Sequence, residues 1–482
     1  MMSKGFKERF LKNSILSAVG QGFSMIFHFG SIMILTRVIS KSDYGVYTLI
    51  FVISYFFLVL SGLGLDTTLV KFISSVNKET RKYVFSKVLI IKILSLTFFT
   101  ALLFLTSQLF FPLFDAKLTD YLIYISILII LGSFRDLFFR VLQGLNLFKK
   151  YAITQIISAM SRFLLLIYFY LQGTLNLDNL ILTEILTIIV TLIIEFIFIP
   201  FKELITNKSD NIELMKMIKF TIPVYFNNIL GSLYSQVNLV IIGVLLTPVS
   251  IAYYDVGAKI PEAFRKMFNS YILVFFPNLS NLFSEGSKSS GEKLVGTSLN
   301  SISLVLAFAT LITFLFRNEI VILLFSEKYA ESSLVLSLLM LSLTLGALAT
   351  LLGYTNVSAG HPKVPMKVNI VCSVISIVGS LIMIPRFGYV GAVYALIIMN
   401  AVAQVLYIIY LRRINIIVNV LRYTKPIIFL IITVLLYLLL KDDSLLVRLL
   451  SISFFLILNW FFVAEFKSIF SSIVKINSKN KL

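Results

Sequence analysis

A few charged residues of this sequence lie deep inside long apolar stretches, where a charge is costly and therefore informative. Arg162 stands in the middle of "SAMSRFLLL", far from either end of its apolar segment. A guanidinium group binds phosphates and carboxylates through two parallel hydrogen bonds. Arg162 is therefore the best single candidate in the sequence for contact with a buried anion.

The stretch "IAYYDVGAKIPEAFRKMFNSYILVFFP" concentrates charge within one apolar segment. Helical spacing places most of its polar residues on one face, with Arg265 beside that face. The face consists of Asp255, Lys259, Glu262, Lys266 and Asn269. Asp255 with Lys259 and Glu262 with Lys266 form two i, i+4 pairs, each in the favourable order with the acidic residue first. The face either lines a water-filled cavity or forms a structural ladder of ion pairs.

Two further segments carry polar stripes at helical spacing. One stripe comprises Ser17, Gln21, Ser24, His28 and Ser31, and the other comprises Asn228, Ser232, Ser235 and Asn238. At an offset of 207 residues Gln21 aligns with Asn228, and His28 aligns with Ser235. Such stripes either face a shared aqueous cavity or hydrogen-bond neighbouring helices. His28 is able to titrate with a proton gradient, although a single histidine in a helix more often serves only as a hydrogen-bonding residue.

Three more basic residues lie nearer the ends of apolar segments. Lys92 and Arg135 are close enough to the predicted cytoplasmic end for their side chains to extend to the interface. Arg135 is also a candidate for substrate contact. Lys71, in "LVKF", either meets an arriving headgroup or anchors its helix at the inner surface.

The composition places these residues in a membrane protein. The chain has 482 residues, of which 58% are hydrophobic and 13% charged, and its mean hydropathy is +0.96; soluble domains carry about 25% charged residues. Cys372 is the single cysteine, which excludes an intrachain disulfide framework and a multi-cysteine metal cluster. With two histidines and no "GxxxxGK[ST]" motif, the sequence predicts neither a metal nor another cofactor.

Apolar windows of about 20 residues, the length that crosses a bilayer, predict fourteen transmembrane helices. They cover residues 14–36, 44–66, 84–106, 119–142, 151–171, 179–200, 220–246, 251–277, 294–316, 333–357, 366–385, 390–411, 426–440 and 445–464. Lys and Arg residues concentrate in the two tails and the even-to-odd loops, which the positive-inside rule places in the cytoplasm. Both termini are therefore predicted to be cytoplasmic. The net charge of +19 then forms an inner-leaflet contact surface, and a nucleic-acid partner is the weaker explanation.

Internal similarity divides the predicted helices into two lobes. At the offset of 207 residues, Ser40 aligns with Thr247, and Gly45 aligns with Ala252. Helices 1 and 7 both start in the cytoplasm, so the repeats are parallel and related by an axis along the membrane normal. The expected organisation is an N-terminal tail (1–13), an N-lobe of six helices (14–201), a linker (202–219), a C-lobe of six helices (220–411), helices 13 and 14 (412–464) and a C-terminal tail (465–482).

Several loose motifs carry a family resemblance: "LTRVISKSDYGVYTL", "GLGLDTTLVKFISS", "LQGLNLFKKYAI", "GHPK" and "PRFGYVGAVYAL". In these motifs, which span most of helices 1–12, the chain resembles the oligosaccharide flippases of polysaccharide biosynthesis, in the superfamily that includes lipid II flippases and multidrug exporters. The resemblance implies a V-shaped pair of six-helix bundles around a central cavity. It also implies a plasma-membrane protein that moves a polyprenyl-pyrophosphate-linked glycan unit to the outer leaflet by alternating access. At Asn238 this chain has an amide where many relatives carry an aspartate.

A diphosphate-linked sugar needs cationic groups for the diphosphate, and amides or hydroxyls for the glycan. The candidate substrate-binding residues are Gln21, His28, Lys71, Arg135, Arg162, Asn228, Ser235, Asn238, Asp255, Lys259, Glu262 and Arg265. The implied partners are the lipid-linked glycan, membrane lipids, glycosyltransferases and a polysaccharide polymerase.

Two alternatives share the same fold. One is a multidrug or cation exporter, which would need unpaired carboxylates in its cavity, and the other is a lipid II-type flippase. An integral-membrane enzyme is disfavoured, because the predicted loops are short and histidines are scarce.

Overall fold

Long α-helices make up almost all of the fold, as the apolar windows predict. A computed structural model describes residues 4–75, 78–114, 118–201, 204, 214–440 and 443–463; within these ranges the side chains of 4–19, 75, 78–80, 214–216 and 233–235 are left undescribed. The described residues form sixteen α-helices and no strand. The side chains of Ser17 and Ser235, most of the predicted linker (202–219) and the predicted C-terminal tail (465–482) lie outside the described residues.

The helices are numbered in chain order. The first eight are α1 (Lys4–Val38), α2 (Lys41–Gly62), α3 (Leu65–Ser75), α4 (Lys78–Phe110), α5 (Leu122–Gly144), α6 (Phe148–Leu171), α7 (Leu177–Phe198) and α8 (Leu214–Leu245). The other eight are α9 (Pro248–Ser284), α10 (Lys288–Leu315), α11 (Arg317–Phe325), α12 (Ser332–Ser358), α13 (Lys363–Phe387), α14 (Val390–Arg413), α15 (Val420–Leu440) and α16 (Leu445–Phe462).

Each of the fourteen predicted spans coincides with one of these helices, and the all-α membrane fold is confirmed. In the described part of the chain, eleven helices are long and apolar enough to cross a membrane, and α8 makes twelve if its two segments, bent by 47°, count as one span. The remaining two predicted spans are α1 and α9. Helix α9 runs seven residues beyond its predicted end at residue 277, with Pro261 and Pro277 inside it.

The second predicted span ends earlier than expected, at Gly62. Leu63 and Gly64 adopt left-handed φ values of 48° and 72°, after which α3 begins at Leu65. A side chain at Gly64 would lie 2.9 Å from the backbone nitrogen of Tyr225 on α8. Glycine is therefore required here both for its backbone conformation and for the close approach of α8.

The sequence "ISKSDYGVY" forms the start of α2. The Ser40 side chain caps the helix by accepting a 3.0 Å hydrogen bond from the N–H of Asp43, whose carboxylate lies in the positively polarised first turn. One turn later Gly45 lies against the backbone of Pro248, the first residue of α9. The start of α2 is thus in direct contact with Pro248, which follows Thr247, the residue that aligns with Ser40.

Contacts divide the chain into two compact units, Met1–Ala252 and Tyr253–Leu482. In the first unit α1 packs on α6, α7 packs on α5 and α6, and α2 packs on α4, α5 and α8. In the second unit α12 packs on α10 and α14, and α15 joins α10 to α16. The assignment of 14–201 and 220–411 to two six-helix lobes stays a prediction.

Candidate functional site

Arg162 lies at the centre of a partly buried polar cluster formed by α1, α2, α6 and α7. Its Nε donates a 2.6 Å hydrogen bond to Oε1 of Glu184, and its Nη2 donates to the hydroxyl of Tyr47 at 2.9 Å. The same hydroxyl donates to Oε1 of Glu184 at 2.7 Å. The Nη1 of Arg162 is 3.3 Å from Nδ1 of His28. These four residues are called the Arg162 cluster below.

Each member of the Arg162 cluster is placed by the packing of its own helix. Tyr47 follows the Ser40 cap by two turns of α2, and its ring packs against Phe51 at a centroid distance of 4.7 Å. Arg162 lies on α6, which packs on both α1 and α7. The predicted buried anion contact of Arg162 is therefore occupied in this structure by a carboxylate of the protein itself.

The polar stripe of α1 is divided between surface and helix interior. Gln21 and His28 are exposed, whereas the hydroxyls of Ser24 and Ser31 donate to the carbonyl oxygens of Gly20 and Phe27 on their own helix. On α8, Asn228 is exposed, Asn238 is buried, and Ser232 donates to the carbonyl of Ile229. Gln21, His28 and Asn228 are thus the exposed members of the two stripes.

Lys92 corrects an expectation from the sequence. Its side chain does not extend to the interface: it is completely buried, and Nζ lies 3.1 Å from Oδ1 of Asp66. Asp66 belongs to the first turn of α3, directly after the break in α2. The break brings a carboxylate within reach of Lys92, and this attraction outweighs the pull of the interface.

Arg135 on α5 pairs with its neighbour Asp136, with Nη2 and Nε at 2.8 and 3.0 Å from the same carboxylate oxygen. Both side chains are about one-third exposed, at 35%. Glu195 on the adjacent α7 is completely buried. Neither of its carboxylate oxygens has a hydrogen-bond partner among the described residues.

The charged face of α9 contains a tight pair and a loose pair. Nζ of Lys259 lies 2.7 Å from Oδ2 of Asp255, which confirms the predicted i, i+4 pair. Glu262 and Arg265 are 3.8 Å apart and much more exposed. The structure therefore contains part of the predicted ion-pair ladder and also leaves charged groups on the surface of α9.

Lys71 on α3 is exposed, and its ammonium group lies 3.6 Å from the centroid of the Phe220 ring. The face of an aromatic ring attracts such a cation. This position fits both predicted roles, the headgroup contact and the helix anchor.

Sequence reasoning missed three residues that the structure brings into these sites. Tyr47 and Asp66 lie in motifs whose sequence gives neither residue a specific contact, and Glu184 lies within the predicted span 179–200. Their partners are 22 to 137 residues away in sequence. The spacing of residues along one helix cannot predict contacts between residues that are so far apart in sequence.

Comparison with known proteins identifies the fold. The structure is similar to that of the lipid II flippase MurJ in an inward closed conformation, with a TM-score of 0.72 and 14% identity over 95% of this chain and 99% of that one. It is also similar to an inward-facing multidrug resistance MATE family transporter of the MOP superfamily, with a TM-score of 0.68 and 13% identity over 81% of this chain and 94% of that one. The fold is that of MOP-superfamily transporters.

Two curated relatives are similar in sequence. Capsular polysaccharide biosynthesis protein CapF of Staphylococcus aureus is 26% identical over 208 residues, which are 43% of this chain and 52% of CapF. The probable low-salt glycan biosynthesis flippase Agl15 of Haloferax volcanii is 24% identical over 181 residues, 38% of each chain. The matches thus span about half of the first relative and two fifths of the second.

A family model described as "Polysaccharide biosynthesis protein" matches residues 10–283, more than half of the chain. The match contains α2 to α8 entirely and the part of α1 that carries His28, so it includes the whole Arg162 cluster. On this match, the chain belongs to the polysaccharide biosynthesis protein family.

Proposed function

We propose that this protein moves a polyprenyl-pyrophosphate-linked oligosaccharide unit from the cytoplasmic to the outer leaflet of the plasma membrane, for the synthesis of a cell-surface polysaccharide. Family membership supports the substrate class. One relative is itself described as a glycan biosynthesis flippase. Transport without bond cleavage also agrees with the short loops of the chain.

The Arg162 cluster is the observation that carries this proposal. A guanidinium held within a membrane helix by a carboxylate is kept charged and oriented without facing lipid. The diphosphate of the substrate would replace Glu184 at the Nε–H of Arg162, since a phosphate and a carboxylate are both anions that bind a guanidinium. His28, exposed next to Nη1, lies on the side from which the ligand would enter.

Other polar groups complete the proposed recognition of the substrate. In the first unit the exposed amides of Gln21 and Asn228 match glycan hydroxyls, and Lys71 meets the arriving headgroup. Further candidates in the first unit are Arg135, Ser235 and Asn238. In the second unit the candidates are Asp255, Lys259, Glu262 and Arg265, all on α9.

The charge balance of the buried groups disfavours a drug or cation exporter. Such a protein would need a carboxylate that is free to bind a cationic ligand. Glu184, Asp66 and Asp255 are each bound to a basic side chain. Glu195 has no hydrogen-bond partner among the described residues, but it is completely buried and therefore inaccessible to an organic cation.

The experiment is export of surface glycan by the native host after replacement of the gene with variants. We expect Arg162→Ala to reduce surface glycan on the order of tenfold or more, because a hydrogen bond to a charged group contributes about 1.5–3 kcal/mol and two N–H groups are lost. Arg162→Lys keeps the charge and should retain part of the export. Lys259→Ala should also reduce it.

The matched control is Arg140→Ala on α5, an exposed arginine whose Nη1 donates to Gln143. All variants are compared at equal amounts of protein in the membrane fraction. Normal surface glycan in Arg162→Ala would remove this residue from the substrate site. Normal surface glycan after deletion of the gene would contradict the proposed function itself.

A further inference from the structure

Glu195 is the one acidic residue in the described part of the chain whose two buried carboxyl oxygens both have no hydrogen-bond partner. It lies on α7 in the first unit, and its side chain has no solvent exposure. An ionised carboxylate in such a position costs several kcal/mol unless it is paired and hydrogen-bonded. A bound proton removes the part of this cost that is due to the charge.

The charged groups around Glu195 come from the helices that pack against α7. From α5, Arg135 attracts and Asp136 repels a negative charge at Glu195. On α6, Lys150 donates to the carbonyl oxygen of Phe198 at 2.8 Å, and Arg162 is bound to Glu184. On α2, Tyr55 is close enough to Asp136 to feel its charge, and Tyr47 is held in the Arg162 cluster.

Arg135 is therefore the basic residue that attracts a negative charge at Glu195, but in this structure it is paired with Asp136. Two of its nitrogens, Nε and Nη2, donate to Oδ1 of Asp136. A single guanidinium charge neutralises one of the two carboxylates, and the other must be hydrated or protonated. Asp136 is one-third exposed and can be hydrated, whereas Glu195 cannot.

We propose that Glu195 is a proton-binding site, and that Arg135 exchanges between Asp136 and Glu195 as the proton leaves and returns. With Arg135 on Asp136, Glu195 carries the proton and is uncharged. When Arg135 moves to Glu195, the carboxyl O–H bond breaks, the proton passes to water at the exposed Arg135–Asp136 pair, and Asp136 becomes hydrated. The net charge of the three side chains changes by one, which balances the released proton.

The test is infrared spectroscopy of the purified full chain at neutral pH, without any glycan substrate, in dodecyl maltoside micelles, because this detergent has no ester carbonyl that would overlap the band of interest. A neutral carboxylic acid has a carbonyl stretch that an ionised carboxylate lacks. We expect this band in the wild type and its loss in Glu195→Gln. Glu184→Gln is the matched control on the same helix: Glu184 is ion-paired, so the band should persist.

Asp136→Asn tests the exchange while Glu195 stays in place. The substitution frees Arg135 to pair with Glu195, so the neutral-acid band should disappear although Glu195 is unchanged. A band that is the same in Glu195→Gln as in the wild type would overturn the proton site. A band that is lost in Glu195→Gln but persists in folded Asp136→Asn would overturn the exchange of Arg135. Neither measurement depends on glycan transport. The proton site or the exchange of Arg135 can therefore be overturned while the proposed function stands.

Discussion

At the level of single residues, the buried basic groups of this protein lie beside acidic partners. Lys92 with Asp66, Arg162 with Glu184 and Lys259 with Asp255 all have nitrogen–oxygen distances of 3.1 Å or less. Pairing makes a charge tolerable within apolar surroundings, but the pair itself contributes little net stability because both groups lose their hydration. Removal of one member is therefore more damaging than removal of both.

Lys92→Met tests this argument. It should lower the free energy of unfolding by about 3 kcal/mol or more, since it leaves the carboxylate of Asp66 without its cation. The double variant Lys92→Met/Asp66→Leu should recover most of the loss. The measurement is denaturant unfolding in detergent micelles, followed by helical circular dichroism. Equal loss in the single and double variants would show that Asp66 contributes nothing to the effect.

The sequence predicted some of these pairs and not others, for a physical reason. Asp255 and Lys259 are four residues apart on one helix, so helical geometry alone predicts their contact. Lys92 and Asp66 meet only because α2 breaks at Leu63 and Gly64 and redirects the chain. That break depends on the approach of α8, a contact between distant segments that a single sequence does not reveal.

At the level of helices, the sequence predicted where the helices lie better than it predicted where they are interrupted. The apolar windows located all fourteen predicted helices, and in the described part of the chain eleven of these, or twelve with α8, are long and apolar enough to cross the hydrocarbon layer. The motif around Ser40 also acts locally, because the Ser40 side chain caps the start of α2. The role of Gly45 in that motif, by contrast, is visible only once Pro248 lies against it.

Gly45→Ala should destabilise the first unit. A Cβ atom at this position would lie 1.9 Å from the carbonyl oxygen of Pro248, so backbone must move. Overpacking of this kind costs about 1–3 kcal/mol. The melting temperature in detergent should fall by several degrees, in proportion to such a loss.

Gly296→Ala on α10 is the control for this substitution. It is also a glycine within a long helix, but a Cβ there meets no atom within 4 Å. Alanine stabilises a helix by up to about 1 kcal/mol relative to glycine, so this variant should be neutral or slightly more stable. A Gly45→Ala protein that melts at or above the control would contradict close contact between α2 and Pro248.

At the scale of the whole molecule, the second unit attaches α15 and α16 by both apolar and charged contacts. Leu430 on α15 and Phe455 on α16 pack with α10 residues in one buried cluster. Arg448 on α16 bonds to Glu319 on α11 and to Asp443, which precedes α16. The apolar contacts are independent of pH, whereas the charged ones are not.

Asp443 makes the attachment of α16 sensitive to acid. Hydrogen bonds from Arg448 and then from Tyr437 hold the pKa of this carboxyl below its ordinary value. Since the folded-state pKa is the lower one, the stabilisation is present above the unfolded pKa of about 3.9 and is lost as the pH falls through the folded value.

Trp460, the single tryptophan of the chain, lies on α16 and reports its environment. Between pH 7 and pH 3, the melting temperature followed by Trp460 fluorescence should fall more in the wild type than in Asp443→Asn, which has no carboxyl to protonate. The difference should be a few degrees at most, because exposed ion pairs contribute only about 0–1 kcal/mol. Asp120→Asn, an exposed carboxyl in the first unit, should keep the pH dependence of the wild type. Identical pH dependence in the wild type and Asp443→Asn would show that α16 is held by its apolar contacts alone.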